Sequence, residues 1–339
     1  MEWQIHGHEW AVNLLKTHAS TDKHRHAYLF VGPEGVGRRT LALKFAQALV
    51  CPNPPAPGQF CGTCRDCRQL ESMTHPDLSL LLPEEGHKDI LIDQVRGLQH
   101  SLALAPYAAS LRIALLLDFQ RATNQAMNAL LKTLEEPQDK VILLLTANTL
   151  ESLLPTIVSR CEVIRLRPAS IASTRVFLQS KKGLSSEQAN LLAHLSGGRV
   201  GAAIHMADDP ATLSRRRENL MAFLELLPAP RYQRFRLAEK LAKPYDKARE
   251  NVGEVLPLWL SFWRDVLIRV SGADLPLVNL DLEQQIDQIA AELDASQARQ
   301  LVVTHEKAIQ ELDLYANPRL LVETLMLQWP HVSVPLMIT

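Results

Sequence analysis

The sequence lacks an excess of charge of either sign. Its 339 residues include 36 lysines and arginines against 37 aspartates and glutamates, which leaves a net charge of −1. A protein that wraps nucleic acid by itself usually carries a clear basic excess. We therefore expect any contact with nucleic acid to be local, or to be shared with other chains.

Long hydrophobic runs are also missing. The longest apolar stretches, such as residues 141–145, are far too short to cross a bilayer. Residues 1–6 hold no basic segment followed by an apolar run, so we expect neither a signal peptide nor contact with a membrane. The expected location is the cytoplasm, and in that reducing compartment the five cysteines are not expected to form disulfides.

Strand and helix patterns alternate over the first 165 or so residues, as they do in the βαβ units of a parallel sheet. After Pro168 the strand patterns fade and helical patterns dominate, with breaks expected near residues 228–230, Pro257 and 272–276. We predict three parts: an α/β domain with a parallel sheet and flanking helices at residues 1–167, a small three-helix lid at 168–208, and an all-α domain at 209–339.

A glycine-rich loop follows the first predicted strand and precedes a helix. Its glycines are in the register of a phosphate-binding P-loop: Gly32, Gly35 and Gly37. That motif continues with a lysine for the phosphates and a serine or threonine for Mg²⁺, whereas this chain has Arg38 and Arg39, with Thr40 one residue late. The arginine fork does not replace a compact ammonium group. We predict a P-loop-type fold that does not bind ATP and Mg²⁺ productively.

A second acidic position supports that prediction. The apolar strand at residues 112–117 is followed by Asp118, where an ATPase would place a metal-binding acid. The next residue, normally a glutamate that activates water in ATPases of this type, is Phe119. Because a phenyl ring cannot accept a proton, we predict no intrinsic ATP hydrolysis.

Four of the five cysteines lie within seventeen residues. They are Cys51, Cys61, Cys64 and Cys67. Tetrahedral zinc takes four thiolate or imidazole ligands, and tight C-x-x-C turns supply two neighbouring ligands each. We predict a structural zinc site in an insertion at residues 51–67, peripheral to the α/β core and dependent on metal for folding. An iron–sulfur cluster is the alternative. Cys161 is expected to be a packed residue, and His75 a turn residue with zinc ligation as its alternative.

Several ordered motifs resemble the AAA+ family of bacterial clamp-loader subunits of DNA polymerase III, over about residues 1–205. They are His-Ala-Tyr-Leu-Phe at 26–30, His-Pro-Asp at 75–77, Asn-Ala-Leu-Leu-Lys-Thr-Leu-Glu-Glu-Pro at 128–137 and Leu-Pro-Thr-Ile-Val-Ser-Arg-Cys at 154–161. The motor subunits of that family keep the P-loop lysine, the metal-binding hydroxyl and the Asp-Glu pair. This chain keeps only Asp118 of these, so it resembles the family's non-motor subunit, a rigid stator.

The resemblance implies a role for the Ser159-Arg160-Cys161 triplet. In the family this arginine reaches into a neighbouring motor's ATP site, and an arginine supplied in trans can contribute roughly 10³–10⁵ in rate. An ordinary surface ion pair of Arg160 is the alternative. Thr146 and Asn148 lie near the family's sensor-1 position. Arg199 lies near its sensor-2 position but one residue out of register, so we expect a structural role for Arg199.

The resemblance also implies partners. They are the ATPase motor subunits and a clamp-opening subunit in a hetero-pentamer, the sliding clamp, and primer–template DNA, with residues 209–339 as an oligomerisation collar. The aromatic residues Trp259, Phe262 and Trp263 are candidates for collar packing, with an ordinary core role as the alternative. Two other functions remain possible at this stage, a divergent but active AAA+ motor subunit and an iron–sulfur redox protein.

Overall fold

The computed structural model describes residues 3–21, 24–84, 88–314 and 316–332. Residues 1–2 and 333–339 of the predicted terminal domains lie outside the described residues. The chain forms two compact units, Met1–Phe177 with Gly198–Ala202 and Leu178–Gly197 with Ala203–Thr339. The finer division into core domain, lid and collar stays a prediction.

The first unit is an α/β structure. Its strands are β1 Ala27–Val31, β2 Leu78–Leu81, β3 Arg112–Leu116, β4 Val141–Ala147 and β5 Glu162–Arg165. Its helices are α1 Glu9–Ser20, α2 Arg38–Val50, α3 Arg65–Glu71, α4 Ile92–Leu102, α5 Asn124–Glu135 and α6 Pro155–Val158. Helix α7 spans Ile171–Lys182. The sequence pattern missed α3, which begins inside the predicted insertion.

All five strands are parallel and follow the order β2-β3-β4-β1-β5. Alternate residues of β1 enter different cores: Tyr28 and Phe30 pack on one face of the sheet, and Leu29 on the other. Helices cover both faces, which explains why β1, β3 and β4 read as continuous apolar runs. The predicted α/β class with a parallel sheet is confirmed.

The second unit is helical in its described part. Its helices are α8 Ser186–Leu195, α9 Val200–Asp208, α10 Pro210–Leu226, α11 Arg231–Leu241, α12 Ala248–Val270, α13 Glu283–Glu292, α14 Ala295–Asp313 and α15 Pro318–Leu327. The break expected at Pro257 is wrong, because Pro257 lies inside the 23-residue helix α12. The residue four positions earlier is Gly253, and the buried residues Leu256 and Trp259 hold the helix in place on both sides of the proline.

A cluster of aromatic rings forms the core of the helical unit. Phe223 stacks on Trp259 at 5.8 Å and meets Phe262, Trp263 and Trp329 edge-on. Trp259, Phe262 and Trp263 are at most 1% exposed. The hypothesis that these three rings form a surface for collar packing is therefore wrong. Among the described residues, no helix has both the length and the apolar character needed to cross a membrane.

A buried histidine next to this core predicts how stability depends on pH. His305 is fully buried, its Nδ1 lies 2.7 Å from the Leu301 carbonyl oxygen, and its Nε2 lies 3.3 Å from the indole nitrogen of Trp329. Burial lowers the pKa of His305 from 6.5 to about 4. The unfolded chain therefore binds a proton below pH 6.5 that the folded chain does not bind until about pH 4.

We expect the free energy of unfolding to fall by about 2 kcal/mol between pH 7.5 and pH 5 from this group alone. His305→Gln keeps an amide donor for Leu301 and an acceptor for Trp329, and it should remove this part of the pH dependence. Urea denaturation followed by tryptophan fluorescence at both pH values measures the difference. An identical pH dependence in the variant would contradict the assignment.

Candidate functional site

The glycine-rich loop lies at the carboxyl end of β1, where helix α2 begins. Gly35 and Gly37 have φ angles of 78° and 107°, a region that favours glycine. A Cβ added to Gly35 would lie 2.7 Å from the Cβ of Ala202, and the Ala202 N–H donates to the Gly35 carbonyl at 3.2 Å. The three predicted loop glycines and Arg38 thus come together, with residues 198–202 packed directly against the loop.

Arg38 and Asp118 form an ion pair at this end of the sheet. The Arg38 Nη2 lies 3.0 Å from the Asp118 Oδ1, and the arginine is only 8% exposed. Burial lowers the pKa of Arg38, and the neighbouring carboxylates of Asp118 and Glu34 oppose that effect. The residue at the lysine position of the loop is therefore already bound to the acid that a metal would need.

A hydroxyl on the intervening strand holds Asp118 in place. Because β4 lies between β1 and β3, Thr146 lies next to the residue that follows β3. Its Oγ1 accepts the backbone N–H of Asp118 at 2.8 Å, and Asp118 takes a left-handed φ of 48°. Asn148 is exposed beyond the strand. Thr146 is thus a neighbour of the acid, whereas the structure gives Asn148 no contact with it.

The other residues singled out near the loop are Phe119, Arg39 and Thr40. Phe119 is completely buried in the core on one face of the sheet. Arg39 is exposed, with its Nη2 3.4 Å from the sulfur of Met73, and Thr40 is exposed on the first turn of α2. Neither Arg39 nor Phe119 offers an oxygen to a metal ion or to water.

Two further residues contact the loop, and the sequence pattern identified only one of them. Arg199 Nη1 donates to the Glu34 carbonyl at 3.3 Å, and burial lowers its pKa. His8, which is 3% exposed, donates from Nε2 to the Val36 carbonyl at 3.0 Å. A single histidine ahead of α1 belongs to no spacing motif, so nothing in the sequence distinguished His8.

Arg160 lies after the short helix α6, just before β5. Its Nη1 donates to the Thr156 carbonyl at 3.0 Å, and its Nη2 lies 2.7 Å from the Glu135 carboxylate. The neighbouring Ser159 hydroxyl donates to the same Thr156 carbonyl at 3.1 Å. The Arg160 side chain is 35% exposed, so it is held by contacts within the chain but remains accessible to solvent.

Arg160 and the glycine-rich loop lie at opposite ends of the sheet. Arg160 precedes β5 and Glu135 lies shortly before β4, whereas Gly32 and Asp118 follow the carboxyl ends of β1 and β3. A strand of five residues spans about 16 Å. Arg160 is therefore remote from this chain's own glycine-rich loop.

The four clustered cysteines are brought together around one point. Their sulfur atoms all lie within 4.8 Å of one another, and those of Cys61 and Cys67 are 3.9 Å apart. Backbone N–H groups of Cys64 and Thr63 lower the pKa of Cys61 to about 6, whereas burial raises the pKa of Cys67. A buried thiolate at Cys67 therefore needs a cation beside it.

The sulfur spacing fits a single ion. With metal–sulfur bonds of about 2.3 Å, the edge of a tetrahedron of sulfurs is about 3.8 Å. A multi-iron cluster holds its cysteines farther apart, because its inorganic core lies between them, and this disfavours the iron–sulfur alternative. His75 is not in the group, since its Nδ1 accepts the Asp77 N–H at 3.0 Å and its Nε2 faces Asp66 at 3.4 Å. Cys161 is a packed residue, and burial raises its pKa to about 12.

The insertion is not peripheral, contrary to expectation. Phe60 is 2% exposed and packs against Trp3, whose indole nitrogen donates to the Gly58 carbonyl at 3.3 Å. Gly58 itself approaches α1 so closely that an added Cβ would lie 2.2 Å from the Lys16 carbonyl oxygen. The metal site therefore adjoins the α/β core, because the residues between its cysteines include one large apolar side chain.

Comparison with known proteins agrees with this description. Residues 7–170 match a family model described as "DNA polymerase III, delta subunit". The DNA polymerase III subunit delta′ of Pseudomonas aeruginosa is 38% identical over 190 residues, which cover 56% of this chain and 58% of that relative. The subunit delta′ of Bacillus subtilis is 27% identical over 316 residues, covering 93% and 94%. A gamma subunit-related protein of Thermotoga maritima has a TM-score of 0.43 at 17% identity, over 93% of this chain and 97% of that one.

The parallel sheet, the glycine loop at its carboxyl end and the flanking helices define a protein of the AAA+ P-loop class. The helical second unit completes the class of architecture predicted from the sequence. Within that class, the chain resembles the DNA polymerase III delta-prime subunits, with which it shares 38% and 27% identity in the two relatives compared.

The geometry of the cysteines predicts the result of removing them. Cys61→Ser combined with Cys64→Ser should abolish a bound metal ion, because two of four ligands lose their thiolates. Elemental analysis by mass spectrometry measures the metal. Hydrogen exchange should rise most in residues 51–67 and less in the strands of the sheet. The matched control is Cys161→Ser, which should retain one equivalent of metal; an unchanged metal content in the double variant would contradict the site.

Proposed function

We propose that this chain is the non-motor stator of a clamp loader, a component of the DNA polymerase III holoenzyme that supports ATP-driven loading of a sliding clamp onto primed DNA. The observation that carries the proposal is the ion pair of the buried Arg38 with the partly exposed Asp118. It ties up both charged groups that a nucleotide and its metal would require, while the rest of the P-loop-type architecture is intact.

The chain's own site is proposed to be inactive for three reasons. The Arg38–Asp118 pair occupies the phosphate-binding and metal-binding groups. Arg39 places a cation where Mg²⁺ needs an oxygen ligand. Phe119 is buried in the core and cannot activate water.

We expect the isolated chain to show neither Mg²⁺-dependent ATP binding in the micromolar range nor ATP turnover. Titration with a fluorescent ATP analogue and a phosphate-release assay measure the two properties. Arg38→Lys combined with Arg39→Thr restores the motor residues at these positions, and it should gain weak binding without turnover because Phe119 remains. Mg²⁺-dependent binding and hydrolysis by the unaltered chain would favour the alternative, a divergent but active motor subunit.

Arg160 is proposed to act in trans, on ATP held by a neighbouring motor subunit. Its position at the end of the sheet remote from the chain's own loop, and its partial exposure, support this role. Glu135 holds the guanidinium in the isolated chain, and an exposed ion pair of this kind contributes little stability. An ATP γ-phosphate with greater charge can therefore replace Glu135 as the partner.

Arg160→Ala should leave assembly with the motor subunits intact and lower ATP hydrolysis at the adjoining motor site by about 10³-fold or more. Total ATPase activity falls less, because the other motor sites still turn over. Clamp- and DNA-stimulated ATPase and clamp-loading rates of the reconstituted complex measure the effect.

Two further variants test the role proposed for Arg160. Arg160→Lys keeps the charge but not the planar fork, so it should recover only part of the rate. Glu135→Gln removes the partner within the chain and should leave ATPase activity near its normal level. Unchanged loading rates in Arg160→Ala would refute the role in trans and leave a surface ion pair as the explanation.

Assembly into a hetero-pentamer with motor and clamp-opening subunits is proposed to use the helical unit. Large apolar side chains are exposed on and beside its last two helices: Leu314 at 80%, Leu320 at 60%, Leu327 at 48% and Val303 at 47%. Leu320 and Leu327 are seven residues apart on α15 and so share one face. Such a face, rather than the buried tryptophans, is the proposed collar surface. The clamp and primer–template DNA are proposed partners of the assembled complex.

The metal is proposed to be zinc with a structural role. Four cysteine ligands close the coordination shell and leave no position for substrate or water. The ion would join the start of the insertion at Cys51 to helix α3, whose first turn follows Cys64. Its contribution is therefore to hold the loop that carries Phe60 against the core.

A further inference from the structure

Helix α11 and the turn after it carry a concentrated positive charge on a chain whose net charge is −1. Residues 231–247 contain six lysines and arginines and two aspartates and glutamates. Only one of the six cations is used inside the fold: Arg234 is 5% exposed and donates to backbone carbonyl groups, including those of Leu226 and Trp329. The other five charges face solvent.

Three of the exposed cations lie in a row with an exposed tyrosine. Tyr232, Arg236 and Lys240 recur every four residues and so lie on one face of α11, and Lys243 follows at the end of the helix. Neighbouring members of this row are separated by about 6 Å along the helix axis. Arg236, Lys240 and Lys243 also border a shallow depression of about 430 Å³.

These cations are poorly neutralised. In the described part of the chain, Lys243 pairs with Glu239 at 2.6 Å, but Arg236 and Lys240 have no carboxylate within ion-pair distance. Glu239 and Lys243 are both exposed, at 44% and 70%, so their ion pair is easily replaced. Arg236, Lys240 and Lys243 share the depression with one acidic residue, Glu239, so positive charge predominates there.

Aromatic rings accompany the charges at both ends. Tyr232 is 63% exposed, and Tyr245, just beyond Lys243, is 87% exposed. Every other aromatic ring named in the core of this unit is almost fully buried. Cations that bind successive phosphates, together with exposed rings on which unpaired bases stack, are the features of single-strand binding surfaces.

We propose that Tyr232, Arg236, Lys240, Lys243 and Tyr245, together named the α11 basic face, bind single-stranded DNA. The cations pair with the phosphates, and the tyrosine rings stack on bases. Duplex DNA fits less well, because its bases are already stacked on one another and only its phosphates remain available. An acidic protein surface would use the charges but not the rings. This DNA-binding role goes beyond the proposed clamp-loader function, and the isolated chain should show it.

The test uses the full 339-residue chain and a fluorescein-labelled oligothymidylate of twenty nucleotides, with binding followed by anisotropy. Arg236→Glu combined with Lys240→Glu should weaken binding at least tenfold. Each phosphate contact contributes about −0.7 to the slope of log K against log salt for single strands, so the double variant should flatten that slope by about 1.4. Arg299→Glu with Lys307→Glu on α14 makes the same charge change at exposed positions elsewhere and should bind normally.

Tyr245→Ala tests stacking separately, and it should weaken binding about tenfold without changing the salt slope. Equal affinity for a duplex of the same length, or no effect of Tyr245→Ala, would overturn the single-strand assignment. Displacement of the DNA by polyglutamate at equal charge concentration would point to an acidic protein partner instead and would also overturn it. Equal losses of DNA affinity in the α11 and α14 double variants would show that net charge alone causes the weaker binding, and they would contradict the α11 basic face.

Circular dichroism spectra and melting temperatures verify that the variants fold. Both should match those of the unaltered chain, because the substituted side chains are exposed. Assembly with the motor subunits and loader ATPase activity are measured on the same proteins. Unaltered DNA binding by the α11 double variant would contradict the α11 basic face alone, whereas failure of the unaltered chain to assemble would contradict the proposed clamp-loader function alone.

Discussion

The ion pair of the buried Arg38 with the partly exposed Asp118 organises the carboxyl end of the sheet. A guanidinium that is 8% exposed requires a counter-charge, because an unpaired buried charge costs several kcal/mol. Asp118 supplies it, since the strand order places the end of β3 near the start of α2. Thr146 and the left-handed backbone of Asp118 hold the carboxylate in position. The charges of Arg38 and Asp118 thus offset each other at the carboxyl end of the sheet, next to the glycine-rich loop.

The sheet also separates the end that carries the Arg38–Asp118 pair from the end that carries Arg160. Parallel strands place every residue that follows a strand at one end and every residue that precedes a strand at the other. Arg160 and Glu135 lie at the second end, paired only through an exposed contact. The sheet thus keeps the exposed Arg160–Glu135 contact away from the chain's own loop, which supports the action in trans proposed for Arg160. The four-cysteine insertion, packed through Phe60, adds a further contact to the same unit.

Some expectations failed where local pattern and tertiary packing disagreed. Trp259 and Trp263 have the spacing of an exposed apolar stripe as much as of a core, and only the surrounding helices decide that they are buried. Pro257 has a local preference to end a helix, but burial of its neighbours outweighs it. The insertion was expected to be peripheral because it is rich in proline and glycine, yet one phenylalanine is enough to join it to the core. In each case the residues that bury the side chain come from elements distant in the sequence.

The sequence by itself determined the class of fold, the glycine spacing, the presence of Arg39 and Phe119 at positions where the motor pattern has other residues, and the four clustered cysteines. Each of these features depends on residue types at fixed spacings along the chain, so it can be recognised without knowledge of tertiary contacts. Only the tertiary structure decided that Arg38 is bound to Asp118, that His8 contacts the loop, and that Arg160 lies at the opposite end from it. The order and direction of the parallel strands decide where Arg38, Asp118 and Arg160 lie, and they bring Arg38 and Asp118 together although these residues are eighty positions apart.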